Sequence, residues 1–178
     1  MGWQPKGKDN EGQMAWFAPE GDPKQPWAMH AISPPSTEGK PVPGTFRFSH
    51  GLGLGDLNAD GRTDVICNEG WWEQPASGAS ADAPWTFHPA SFERAVSNIL
   101  VYDVNHDHKP DVIASSAHQY GIWWFEQGEA NQGSPTFTKH DLFPELVSET
   151  HALIAADING DGLEDFVTGK RFWSHGKN

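Results

Sequence analysis

Asp and Asn recur in this sequence at a spacing that suits a hard cation. Residues 56–64 read DLNADGRTD, residues 103–111 read DVNHDHKPD, and residues 157–165 read DINGDGLED. Each stretch places Asp, Asn, Asp and Asp at positions 1, 3, 5 and 9. Carboxylates packed this densely repel one another, so a positive partner is expected among them. Alternating oxygen ligands on a short loop suit calcium, which takes about six to eight oxygens and tolerates irregular geometry; magnesium keeps more of its water. Side chains at positions 1, 3 and 5 point inward as such a loop curls. The carbonyl at position 7 can contribute, and the Asp at position 9 closes the cage. The expected ligands are therefore Asp56, Asn58, Asp60, the Arg62 carbonyl and Asp64 in the first loop. In the second they are Asp103, Asn105, Asp107, the Lys109 carbonyl and Asp111, and in the third Asp157, Asn159, Asp161, the Leu163 carbonyl and Asp165. The alternative is three solvated Asx turns with no metal. An EF-hand is excluded, because position 12 is Cys67, Ala114 or Thr168 instead of Glu, and both flanks read as strands.

The loops are not equal. Gly61 and Gly162 follow the third ligand, where a left-handed residue costs little. The second loop has His108 there, followed by Lys109 and Pro110, so His108 must adopt the glycine dihedral or bend the loop. That site is expected to be the weakest, or empty.

Apolar runs flank every loop: GLGLG, ILVY and ALIAA before, DVIC, DVIA and DFVT after. Strand, tight acidic loop, strand is the natural reading. An aromatic pair follows: Trp71 and Trp72, Trp123 and Trp124, Phe172 and Trp173, with Trp16 and Phe17 as the same element near the N-terminus. A further element sets an aromatic three residues before a histidine, at Trp27 and His30, Trp85 and His88, and Phe137 and His140. Four strands in a repeat of about 50 residues is the size of a propeller blade. The expected fold is all-β, a β-propeller with blades of four antiparallel strands and about three blade equivalents, one split between the N- and C-termini. Residues 1–178 read as one repeat domain. Residues 1–47 are the C-terminal half of a blade with its connection, 48–94 and 95–146 are blades, and 147–178 are the N-terminal half of a blade. Three blades are too few to close a ring, since propellers use about four to eight. The chain is thus expected either to be part of a longer propeller or to assemble as a homo-oligomer. The nearest thing to a helical segment is FERAVSNIL, and it is short.

Composition agrees with many short strands joined by turns: 19 glycines, 14 prolines and nine tryptophans in 178 residues. Twelve basic residues against 24 acidic ones give a net charge of −12, which argues against a nucleic-acid surface. The single cysteine, Cys67, makes no intrachain disulfide and reads as a small buried strand residue. Nothing resembles a signal peptide, and the apolar runs are too short for a membrane span.

DLNADGRTDV, DVNHDHKPDV and DINGDGLEDF resemble the calcium loops of FG-GAP/VCBS-type repeats, which build integrin-alpha-like β-propellers. SSAHQYGIWWFEQ and THALIAADINGDGLEDFVTGKRFWSHG are similar to a bacterial branch of secreted FG-GAP repeat proteins, with a more distant similarity to the propeller of the fungal aldos-2-ulose dehydratases. The resemblance implies calcium, a ring-shaped scaffold and a secreted or periplasmic setting. It does not imply one activity, because function sits on sites and not on folds.

Beyond the loops, His30, His88 and His140 share one repeat position and read as structural hydrogen-bonders, while His106 and His108 lie in a loop and are expected to be exposed. His50 and His151 each precede a first loop Asp by six residues, at the start of the innermost strand, and His118 sits on a connection. A mouth of His50, His118 and His151 with Tyr120, Lys170 and Arg171 could bind a sugar acid or a second metal; alternatively these residues satisfy polar groups there. Catalytic signals are thin: no nucleophile elbow, no HExxH and no phosphate loop. The leading expectation is a calcium-stabilised extracellular module that binds a protein partner or a glycan. A carbohydrate lyase or dehydratase working at the His-lined mouth, and a purely structural assembly unit, are the alternatives.

Overall fold

The computed structural model describes residues 12–37, 39–45, 49–131, 133–145 and 149–170. Among them every regular element is a strand. In chain order these are β1 (Ala15–Ala18), β2 (Ala28–Ala31), β3 (Gly53–Gly55), β4 (Asp64–Cys67), β5 (Gly70–Glu73) and β6 (Thr86–Pro89). Then come β7 (Val96–Tyr102), β8 (Asp111–Ser116), β9 (Ile122–Asn131), β10 (Ser134–Asp141), β11 (Thr150–Ala156) and β12 (Asp165–Lys170). They form two four-stranded sheets, β3-β4-β5-β6 and β7-β8-β9-β10, and two two-stranded sheets, β1-β2 and β11-β12. All pairings within the sheets are antiparallel. Each four-stranded sheet is a whole blade; the two-stranded sheets are an outer and an inner half. The FERAVSNIL segment is not helical: Phe92 is buried before a bend and Val96 begins β7. Val96 and Ile99, three residues apart, are both buried because the register of β7 shifts between them.

The second strand of each blade is covered on both faces, which explains its continuous apolar run. All four residues of β4 and all six of β8 are buried. The first strands β3, β7 and β11 stand side by side, with β7 in the middle. Their approach is close: Leu52 bridges Asn98 in parallel, and the Ile99 N–H donates to the Leu52 carbonyl at 3.2 Å. The glycines of GLGLG permit this. A Cβ on Gly53 would lie 2.7 Å from the Ile99 carbonyl oxygen, and one on Gly55 would lie 2.5 Å from Val101 Cβ.

The core is built between sheets. Ile66, Trp71 and Phe92 meet Val96, Ile99, Val112, Trp123 and Phe125 where the two whole blades face each other. Met14 and Ile32, flanking β1-β2, meet Val65 and Trp72 of the first blade. Leu153 and Phe166 of β11-β12 meet Leu100, Ile113 and Trp124 of the second. The expected aromatic strand at Phe172 and Trp173 lies outside the described residues.

Candidate metal loops and a histidine-lined mouth

Each acidic loop joins the first strand of its sheet to the second, and all three share one internal bonding pattern. The position-1 Asp gathers the loop. Asp56 accepts from the N–H groups of Asp60 at 2.9 Å and Gly61 at 2.7 Å, and Asp103 accepts from Asp107 at 3.1 Å and His108 at 2.9 Å. Asp157 accepts from Gly160 at 2.7 Å, Asp161 at 3.1 Å and Gly162 at 2.9 Å. The position-5 Asp accepts from the position-7 N–H at 2.9 Å in all three. The position-9 Asp reaches back to the position-2 N–H: Leu57 to Asp64 at 2.9 Å, Val104 to Asp111 at 3.1 Å, Ile158 to Asp165 at 3.0 Å.

The closing carboxylates of the first two loops also tie in the third strand. Asp64 accepts from the Gln74 N–H at 3.0 Å, and Asp111 from the Gln127 N–H at 2.7 Å. The Gln74 side chain accepts from Thr63 N–H at 3.2 Å, and the Gln127 amide donates to the Leu57 carbonyl of the first loop at 3.0 Å. Sequence reasoning passed over these glutamines. The signal was present, since Glu-Gln recurs at 73–74 and 126–127 at one repeat position.

Two residues per loop are left-handed. Position 6 has φ of +84° at Gly61, +66° at His108 and +86° at Gly162. His108 thus takes the dihedral of the glycines, and it is exposed, as is His106. Position 4 repeats the device at Ala59, His106 and Gly160, with φ of +57°, +61° and +78°. Left-handed backbone costs a non-glycine residue about 1–2 kcal/mol, and the second loop bears that cost twice, on two histidines.

The donors are all oxygen, which fits a hard cation. The first loop holds a further sign of fit: Asn58 Oδ1, at position 3, is buried without a hydrogen-bond partner. Burial also pushes the Asp64 carboxyl up to about 6, against the two backbone N–H groups that lower it, with the Asp60 and Asp56 charges adding to the rise. Among the described residues, however, no three His, Cys, Asp or Glu side chains are gathered as a finished cage. Carboxylate oxygens are spent on the loops' own N–H groups, and on cations at position 7. The Arg62 guanidinium pairs with Asp60 and, at 3.2 Å, with Glu73, and Lys109 Nζ lies 3.9 Å from Asp107 and 2.7 Å from Glu129. Leu163 leaves the third loop without such a cation.

The repeated histidines all stack on an aromatic ring, but of these only His88 and His140 are hydrogen-bonded; among the described residues the buried His30 Nδ1 has no hydrogen-bond partner. His30, His88 and His140 stack on Trp16, Trp71 and Trp124 with ring centroids 4.0, 4.2 and 4.6 Å apart. His88 bonds Glu73 at 2.7 Å and His140 bonds Glu126 at 2.8 Å.

His50, His118 and His151 come together, each from a different sheet or its connections. The His118 ring centroid lies 5.0 Å from that of His50 and 5.5 Å from that of His151, both edge-on. A buried network sets the geometry. Ser97 bonds the Thr150 carbonyl, which Ser115 also reaches at 3.2 Å, and Thr150 Oγ1 donates to the Ser116 carbonyl at 3.3 Å. The Glu149 N–H donates to the Gln119 carbonyl at 3.0 Å, fastening the start of β11 to the His118 loop. Beside His118 opens a cavity of about 410 Å³, lined also by Arg94, Glu93, Ser116, Gln119 and Trp123. Arg94 was not anticipated; it sits between left-handed Glu93 and Ala95. Tyr120 is exposed on the same connection. Lys170 ends β12, its side chain outside the described atoms, and Arg171 lies outside the described residues.

No curated protein and no solved structure matches the chain. Residues 103–168, from the second acidic loop through the third and into β12, match the FG-GAP-like repeat. That stretch is an FG-GAP-like repeat, the family its acidic loops resemble.

Proposed function

We propose that the chain is a calcium-stabilised, propeller-like extracellular module whose mouth binds a glycan or a protein partner. The observation that carries this reading is the bonding of the position-1, position-5 and position-9 carboxylates to the same loop N–H groups in three successive sheets. It is joined by the buried, unpartnered Asn58 Oδ1. Asp56, Asn58, Asp60 and Asp64 and their repeats in the other loops would hold the ion, with the carbonyls of Arg62, Lys109 and Leu163. When bound, calcium supplies charge neutralisation and fixes each loop, and because it binds the folded loop and not the unfolded chain it stabilises by mass action. One site at 100 times its Kd adds about 2.7 kcal/mol. A secreted or periplasmic location, where calcium is abundant, is part of the same proposal.

The cleft beside His118 is the binding site of choice. Arg94 offers a guanidinium for a carboxylate, Ser91, Ser116 and Gln119 offer hydrogen bonds, and His118, whose ring His50 and His151 contact edge-on, lines it. These groups suit an acidic sugar. The test is a glycan array probed with and without chelator, alongside Arg94→Ala. Binding of uronate-bearing glycans that Arg94→Ala weakens at least tenfold supports the reading. Equal binding by the variant, or no glycan binding, overturns the site.

A further inference from the structure

Three apolar patches lie bare, and the repeat shows what each is shaped to meet. Counting positions from the loops, Ile154 and Val167 of β11-β12 correspond to Leu100 and Ile113 of the second blade. Leu100 and Ile113 are covered by Leu153 and Phe166 of the next sheet. Ile154 and Val167 pair across their sheet on the opposite face from Leu153, and they are 64% and 48% exposed. At the other end of the row, Leu52 and Leu54 correspond to Leu153 and Ala155. They are 41% and 62% exposed, because β1-β2 covers only the outer part of that blade face, through Met14 and Ile32. Finally, Phe17 and Met29 pair on the face of β1-β2 opposite Trp16 and His30 and are 44% and 39% exposed. Their repeat equivalents include Trp72 and Phe125, both buried against a preceding sheet.

One placement covers all three patches. The inner half-blade β11-β12 of one molecule is set beside the outer half-blade β1-β2 of another, in the strand order of a whole blade. Ile154 and Val167 then meet Leu52 and Leu54 of the second molecule. Its Phe17 and Met29 meet the Trp124 face of the first. We infer that these faces form a heterologous interface between two copies of this chain, continuing the blade-to-blade packing already seen within each copy. The second blade stands between the two ends, so one copy does not satisfy both faces itself. The inference rests on the propeller-like reading above and names its partner.

The test uses the full chain in calcium at about 50 µM. Sedimentation velocity should show a dimer or larger species, and Leu52→Asp or Ile154→Asp should each return it to monomer with the circular dichroism spectrum unchanged, since both side chains are exposed. Mixing Leu52→Cys with Ile154→Cys under mild oxidation should give a crosslinked heterodimer that neither variant gives alone; the native Cys67 is buried. A wild-type chain that sediments as a monomer, or crosslinking no greater in the mixture than in the separate variants, overturns the inference. Calcium uptake measured on the same sample separates the two proposals: a monomer that binds calcium removes the interface and leaves the loops standing.

Discussion

Asp111 carries as much of the fold as any single residue. It is fully buried and accepts the N–H groups of Val104 and Gln127, one in its own loop and one on the third strand. Removing the carboxylate strands both donors, each at a cost of about 1–3 kcal/mol. Asp111→Ala should therefore lower the unfolding free energy by roughly 2–6 kcal/mol in urea denaturation, and Asp111→Asn by less. His108 lies at the opposite extreme. Its φ of +66° is unfavourable for a side chain, so His108→Gly should relieve about 1 kcal/mol of backbone strain and raise the calcium affinity of the second loop. Calorimetric titration of the variant against the parent checks both the sign and the site. Cys67 gives a third residue-scale expectation. Burial pushes its thiol up to about 12, so the folded chain should not react with a disulfide reagent at pH 7 or faster at pH 9. Deprotonation in that window would appear as a rate that climbs with pH. Labelling should begin only on unfolding, which makes Cys67 a native reporter of the first blade.

At the scale of elements, the join between β3 and β7 is set by absent side chains. Gly53→Ala puts a Cβ within 2.9 Å of three Ile99 atoms, one of them backbone, so the strands must separate. Overpacking of this kind costs about 1–3 kcal/mol. Gly61→Ala meets nothing within 4 Å and should cost only the left-handed penalty, about 1 kcal/mol. Thermal melts of the two variants measured together separate steric conflict from dihedral preference. The order of strands was legible because apolar runs bracket each acidic loop and aromatic and His positions recur in step. The role of GLGLG was not, because close approach is a property of two strands and the sequence displays one at a time. For the same reason His50 and His151 could be proposed from their shared repeat position and His118 from its place on a connection, while Arg94 could not. It lies on an inter-blade turn, and only packing brings that turn to the His118 loop.

For the whole molecule, charge is the dominant variable. A net charge of −12 is concentrated in part in three loops, and only two of them carry a basic residue at position 7. The third loop, with Leu163 there, should bind calcium more tightly than the second, which has Lys109 and two left-handed histidines. What the sequence left open was how far each loop neutralises itself; side-chain pairing of Arg62 and Lys109 depends on Glu73 and Glu129 from strands elsewhere in the blade. The account as a whole depends on the acidic loops taking up calcium and stiffening the blades. The most direct measurement is a thermal melt of the full chain in excess chelator and then in millimolar calcium, with magnesium as the control. A melting temperature that rises by about 5 °C or more with calcium, and much less with magnesium, is the predicted result. Identical melts in calcium and chelator, with no heat of binding on titration, would contradict it.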